Sequence, residues 1–280
     1  MKNVIFMDID GTLTGQDGFV PESAKKAIKK TRDLGNDVIL STGRSLAEIT
    51  DDILEIGFDG IIGAGGAYIE LKGEVIQHTT MPEQSLHDVT NYLNEREIGY
   101  YLESNQGLFI NEYCIPKIKE AAYKLYQTSP ELFLNQENPE PSWFLDILKK
   151  SEGKEIPYHD INKLSFISTE FPFKDIEQQF KNEFEIYHAT VFEFGPESGE
   201  IGLKGIDKKT AINKVYRQYD PDIKSYAYGD GLNDVPMFEV VDHAVAMRNA
   251  KDGLKQIANE QIGIAEEDSI YKSFLKNNLI

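Results

Sequence analysis

The first residues able to do chemistry are two aspartates two residues apart. Asp8 and Asp10 follow the apolar run Val4-Ile5-Phe6-Met7 and precede Gly11 and Thr12. Side chains two apart on a strand point the same way, so both carboxylates can lean to one side of a strand end. Such a pair has two readings. One is a polar strand end that leads into a turn and does no chemistry. The other is metal-assisted phosphoryl transfer, in which one carboxylate attacks phosphorus and the other handles the leaving-group proton. With a reference pKa of about 3.9, an aspartate is ionised at neutral pH and available to attack, but it repels a dianionic phosphate. Mg²⁺ prefers oxygen ligands and retained waters, and would offset that repulsion.

Three further clusters bear on the choice. Ser41-Thr42-Gly43-Arg44 follows a short apolar segment, a basic cluster lies at 204–209, and Gly229-Asp230-Gly231-Leu232-Asn233-Asp234 follows another apolar stretch. Thr42-Gly43 lies between an expected strand end and a helix start, a geometry that receives anions. Each cluster alone is a weak signal. In a doubly wound sheet all carboxyl ends line one edge, so the four would converge.

The elements that must position them follow from pattern. An all-apolar run bounded by a turn reads as a strand buried on both faces, so residues 4–7 are a strand of a parallel sheet. Pro21 opens a helix with Ala24, Ala27, Ile28, Thr31 and Leu34 at helical spacing, and Gly35 caps it. Strands follow at 37–41 and 60–62, separated by a helix opened by a capping box at Ser45 and Glu48 and continued by Leu46, Ile49 and Ile53. Segments 67–70 and 74–78 read as a hairpin. This β-α-β-α-β order gives an α/β fold with a doubly wound parallel, Rossmann-like sheet. From Pro82 the order becomes mixed: helices at 84–96, 116–127 and 173–180, an amphipathic stretch at 143–148, and strands at 99–103, 107–110, 163–168 and 190–194. Parallel-sheet patterning resumes with a helix capped by Asp207, strands at 223–228 and 244–247, and helices at 235–240 and 250–258. Residues 82–198 are therefore an inserted α+β domain, and 1–81 with 199–280 form the core.

Composition bounds the partners. The formal net charge of −18 disfavours nucleic acid and anionic membrane, since both call for a basic face. It also means that an anionic substrate needs local positive charge from a metal, a lysine or helix N-termini. Cys114 is the only cysteine, so no intrachain disulfide forms, which suits a reducing cytoplasm. No apolar run approaches a membrane span and the N-terminal run is broken by Asp8, so neither a membrane anchor nor a signal peptide is expected. The five histidines show no paired metal spacing and read as structural or exposed.

The ordered clusters resemble the haloacid-dehalogenase-like (HAD) phosphatases, within them the Cof-type branch with a large α/β cap, at the level of architecture across essentially the whole chain. Asp8-Ile9-Asp10-Gly11-Thr12-Leu13 matches the first motif, Thr42-Gly43-Arg44 the second, and Gly229-Asp230-Gly231-Leu232-Asn233-Asp234-Val235-Pro236-Met237 the last and most specific. The resemblance implies that Asp8 is the nucleophile and forms an aspartyl-phosphate. Asp10 would protonate the leaving alkoxide and then activate water. Asp8, the carbonyl of Asp10, and Asp230 would hold Mg²⁺ with support from Asp234. Thr42, Gly43 and Asn233 would contact the phosphoryl group, with Asn233 touching metal, phosphate or their waters. Counting along the third motif from Gly205 gives Lys208 as the phosphate-binding lysine, with Lys204 as the alternative and Lys209 as a solvated charge. Phosphoryl-aspartate ion pumps carry threonine where Asp10 stands, so a phosphatase or phosphomutase is expected. The inserted domain would be a cap that excludes water and selects the substrate.

Two departures from the family pattern stand out: Arg248 replaces a glycine in Met247-Arg248-Asn249-Ala250, and Gly65 stands where asparagine is common. Arg248 is either a solvated side chain or a contact to a second anionic group of the substrate. The expected partner is a small phosphate ester, a sugar phosphate first and a phosphorylated cofactor such as pyridoxal phosphate or flavin mononucleotide next. A phosphosugar mutase and a non-catalytic phosphometabolite sensor are the rival readings. A monomer or homodimer is expected.

Overall fold

The computed structural model describes residues 2–15, 18–130, 141–151, 153–189 and 191–280. They form two compact units: 1–45, 49–78 and 205–280 in the first, 46–48 and 79–204 in the second. The sequence pattern puts the boundaries at 81/82 and 198/199. The later return at 204/205 follows from the strand Gly199–Leu203, which pairs inside the second unit's sheet.

In the first unit the chain makes β1 (Asn3–Met7), α1 (Glu22–Asp33), β2 (Asp37–Ser41), α2 (Asp51–Leu54), β3 (Gly60–Gly63), β4 (Tyr68–Leu71) and β5 (Glu74–His78). Val4, Ile5, Phe6 and Met7 are wholly buried, as a strand covered on both faces requires. The expected helix after Ser45 is instead a single turn at Leu46–Glu48 followed by α2, because the β-branched Thr50 is extended (φ −75°, ψ 154°) and restarts the helix at Asp51. The hairpin of β4 and β5 closes over Lys72 and Gly73, both at positive φ.

The second unit contains α3 (Glu83–Asn94), β6 (Gly99–Ser104), β7 (Leu108–Ile110), α4 (Cys114–Thr128), α5 (Ser142–Lys149), β8 (Ile161–Ile167), α6 (Phe173–Phe180), β9 (Phe184–His188) and β10 (Gly199–Leu203). Its antiparallel sheet has the order β7-β6-β8-β10-β9. One face packs Leu102, Leu164, Phe166 and Ile201 with Leu86, Val89 and Ile176 of α3 and α6. The other packs Tyr101 and Ile167 with Ile118, Phe144 and Phe194. Strand 190–194 does not form: Phe192–Phe194 is a short helical turn, and position 190 lies outside the described residues. Residues 131–140 and 152 also lie outside them, as do 16 and 17.

The chain then completes the first unit with α7 (Lys208–Tyr216), β11 (Lys224–Gly229), α8 (Val235–Phe238), β12 (His243–Met247), α9 (Asp252–Ile257), β13 (Glu260–Ile262) and α10 (Ser269–Lys276). The eight-stranded sheet has the order β13-β12-β11-β1-β2-β3-β4-β5, parallel from β13 to β3 and antiparallel beyond. From β1 the chain winds outward through β2 and β3 on one side, then through β11, β12 and β13 on the other. The direction reverses between β1 and β11, which is where open α/β sheets bind ligands. No described helix is long and apolar enough to cross a membrane.

Candidate active site

The neighbouring ends of β1 and β11 stay in register, with Met7 opposite Tyr228 and the Asp8 N–H donating to the Tyr228 carbonyl at 3.0 Å. Asp8, just past the end of β1, and Asp230, just past the end of β11, are therefore held near one another. After Asp8 the backbone turns at Gly11, whose φ is +72°. A Cβ there would sit 2.3 Å from Oδ2 of Asp230, so the position needs glycine for both space and conformation.

Lys208 opens α7. Asp207 caps that helix through a reciprocal pair with Thr210: its carboxylate accepts the Thr210 N–H at 2.7 Å, and its own N–H donates to Thr210 Oγ1 at 3.1 Å. The cap fixes where the lysine starts. Its Nζ lies 2.6 Å from Oδ1 of Asp8 and 2.6 Å from Oδ1 of Asp234, with the side chain 2% exposed. The second oxygen of Asp234 accepts the N–H groups of Asp230 (2.9 Å) and Gly231 (3.0 Å). Asp234 thus ties the Gly229-Asp230-Gly231 turn to the lysine.

One oxygen from each of Asp8, Asp230 and Asp234 lies within 4.8 Å of the others, the one such group of potential metal ligands found among the described residues. When ionised, these three carboxylates facing one ammonium leave two negative charges in excess. Hard oxygen donors carrying that charge fit a hard divalent cation such as Mg²⁺. Without one, burial pushes the Asp8 carboxyl well above the usual range, Asp234 adds to the push, and Lys208 only partly opposes it. Burial, with Asp234 next, raises Asp230 to about 6. Burial alone would lower the Lys208 ammonium, but Asp234 and Asp8 outweigh it and its pKa rises.

The side chain of Asp10 is not in that group. It is 62% exposed and meets Arg44, whose Nε and Nη2 donate to its two oxygens at 2.9 and 2.5 Å. Thr42 is buried, its Oγ1 accepts the Arg44 N–H at 3.1 Å, and its carbonyl accepts the Gly65 N–H at 3.0 Å. The Gly65 loop therefore backs the Thr42 loop. A Cβ on Gly43 would lie 4.0 Å from Nδ2 of the exposed Asn233, which puts these two positions side by side. Of the other basic candidates, Lys209 pairs with Glu239 at the surface and Lys204 is exposed in the second unit. Arg248 pairs with Glu267 at 2.5 Å, its side chain 60% exposed.

Four contacts at the site are absent from the sequence reading. Thr12 Oγ1 donates to Asp230 Oδ1 at 3.4 Å. Asn249 Nδ2 donates to Asp230 Oδ2 at 3.1 Å and to the Gly11 carbonyl at 2.8 Å, bracing both acidic loops. The signal for Asn249 was present, since it follows Arg248 in the segment already singled out. The clamp of Arg44 on Asp10 left no mark in the spacing.

The chain belongs to the haloacid dehalogenase-like hydrolases, whose family pattern matches residues 5–274. Phosphatase YwpJ of Bacillus subtilis is 23% identical, with 94% of this chain and 97% of that protein covered. The 5-amino-6-(5-phospho-D-ribitylamino)uracil phosphatase YwtE of the same organism is 24% identical over 93% of this chain and 95% of its own length. Among solved structures, the HAD subclass IIB sugar phosphatase BT4131 superposes with a TM-score of 0.70 at 22% identity, with 99% of this chain and 100% of that chain covered. At that identity the likeness shows the fold.

Proposed function

We propose that the protein is a Mg²⁺-dependent phosphomonoesterase of a small phosphorylated metabolite, with sugar phosphates as the first substrate class. The observation that carries the reading is Lys208 buried between Asp8 and Asp234 with Asp230 alongside, at the reversal point of the sheet. The relatives' names support the substrate class, since a phosphoribitylamino compound and a sugar phosphate are both phosphate esters of polyhydroxylated carbon chains.

In this reading Asp8 attacks phosphorus and carries the phosphoryl group as an aspartyl-phosphate. Asp10 gives a proton to the leaving oxygen and takes one back from the water that releases phosphate. Lys208 offsets charge on Asp8 and on the phosphoryl oxygens, and Thr42 with the Gly43 N–H grips those oxygens. Asp8, the Asp10 carbonyl and Asp230, with Asp234 in support, would hold Mg²⁺, which when bound would neutralise the phosphate and let an anionic nucleophile approach. Asn233 would touch the phosphoryl group or its waters. The inserted unit would select the leaving group.

The test is a phosphate-release screen over phosphorylated metabolites with Mg²⁺, using Asp8→Asn as control. Release by the wild type and none by the variant supports the reading. Isomerisation of a hexose phosphate without release would mark a mutase instead. No release at all, with Asp8→Asn binding ligands as well as the wild type, would mark a sensor.

A further inference from the structure

Asp10 and Arg44 follow the adjacent parallel strands β1 and β2, which places one just past each strand end. A guanidinium that engages both oxygens of one carboxylate fixes the plane of that carboxylate as well as its position. The two partners are not equally free. The Arg44 side chain is 18% exposed, whereas Asp10 is 62% exposed and lies in the loop just before Gly11. The Arg44 backbone is pinned on both sides, its N–H to Thr42 Oγ1 at 3.1 Å and its carbonyl to the Ala64 N–H at 2.7 Å. The arginine is thus the fixed member of the pair. An exposed carboxylate without such a clamp would sample several rotamers, and proton transfer demands one.

From this geometry we infer that Arg44 is a positioning residue: it aims the Asp10 carboxylate at the leaving oxygen and does not itself grip the phosphoryl group. The inference rests on the acid–base role proposed for Asp10. The clamp is compatible with that role because each carboxylate oxygen has two lone pairs and the guanidinium takes one on each. As the bond from phosphorus to the leaving oxygen breaks, the Asp10 O–H proton passes to that oxygen and Asp10 becomes a carboxylate. When water attacks the Asp8 phosphoryl group, its proton passes to Asp10 and the bond from Asp8 to phosphorus breaks. Arg44 keeps its contacts through both steps and exchanges no proton.

The experiment is a double-mutant cycle of wild type, Arg44→Ala, Asp10→Asn and the pair, with Arg44→Lys as the conservative variant. The probes are p-nitrophenyl phosphate turned over with Mg²⁺ and inorganic phosphate as an inhibitor, with circular dichroism confirming that each variant is folded. Arg44→Ala is expected to lower kcat by about 10- to 100-fold, a fraction of what acid–base catalysis supplies, with KM and phosphate inhibition changed less than about twofold. Arg44→Lys, which can keep one contact, should fall between. In the Asp10→Asn background the same Arg44→Ala change should alter kcat less than about threefold. An equal loss in both backgrounds, a rise in KM and in the phosphate inhibition constant with kcat kept, or an unchanged kcat would each overturn the inference. If Asp10→Asn alone turns over at the wild-type rate, the acid–base reading of Asp10 fails, and the Arg44 inference falls with it.

Discussion

Lys208 in the first unit is buried and Lys163 in the second is half-buried, and each is paired with two acids. Lys208 lies 2.6 Å from Asp8 and from Asp234. Lys163 lies 3.2 Å from Glu103 and 2.8 Å from Glu200. In both clusters burial pushes a carboxyl well up, Asp8 in one and Glu103 in the other, and in both the lysine is held charged by its acids. The difference lies in what holds the acids. Glu103 faces Lys163 across paired strands, and Ser165, opposite Glu200, donates to Glu103 at 2.7 Å. A strand ladder fixes those side chains on one sheet face, and their oxygens do not form a three-ligand group. Asp8, Asp230 and Asp234 hang from loops past strand ends, where backbone N–H groups and a helix-capped lysine turn them toward one point. The charge pattern alone makes an ion-pair cluster. Loops at the carboxyl edge of a parallel sheet make a ligand site.

The comparison would break most visibly at the nucleophile. Asp8→Asn should cost phosphatase activity on the order of 10⁴-fold or more, as loss of a catalytic nucleophile does elsewhere, while Glu103→Gln should keep kcat within about threefold; phosphate release under saturating substrate measures both. Equal losses would put Glu103 in the site as well.

Next come the lysines. Removing either one strands buried acids, so Lys208→Met and Lys163→Met should each lose about 3–5 kcal/mol in denaturant unfolding. Only Lys208→Met should also lose catalysis, by about 10²–10³-fold in kcat under conditions where it is folded.

Cation binding separates the clusters more gently. At about one hundred times its dissociation constant, Mg²⁺ should stabilise the wild type and Glu103→Gln by about 2.7 kcal/mol. Asp230→Asn should gain little, and a thermal-shift titration reads the contrast. The smallest expected effect is in pH. The folded Asp230 carboxyl titrates near 6 and its unfolded counterpart near 3.8, so the folded state holds the extra proton between those values. In chelator, stability should therefore rise by about 1 kcal/mol as pH falls from 7 to 5. The slope should flatten in Asp230→Asn and with Mg²⁺ present, since the cation requires the ionised acid.

Much of this was legible in the sequence because the signals are local. The apolar run before Asp8, the Pro21 to Gly35 helix and the Asp207 cap each state their element within a few residues. What stayed hidden depends on distant neighbours. β10 reads Gly-Glu-Ile-Gly-Leu, which looks like a turn. Yet a Cβ on Gly199 would meet the Tyr187 carbonyl at 2.6 Å and the Phe166 ring at 2.7 Å, so the glycine is there to let a strand and a ring approach. β13 is three residues long, too short for a period to show, and α10 follows the last core segment with Ile270, Ser273 and Phe274 buried at helical spacing. The expected strand at 190–194 had the apolar alternation, but the chain spends it on a turn that sends Phe194 into the core beside Tyr101 and Phe144. In the site, the motifs named Asp8, Lys208, Asp230 and Asp234. The bracing by Thr12 and Asn249 and the Arg44 clamp depend on how strand ends face one another.

The most direct test of the central claim is acid-quench peptide mapping by mass spectrometry during turnover of a phosphate ester with Mg²⁺. The account predicts one added phosphoryl group on the peptide that contains Asp8, accumulating further in Asp10→Asn, where water attack is slowed. Sustained phosphate release with no phosphoryl group on that peptide, and undiminished turnover by Asp8→Asn, would contradict it.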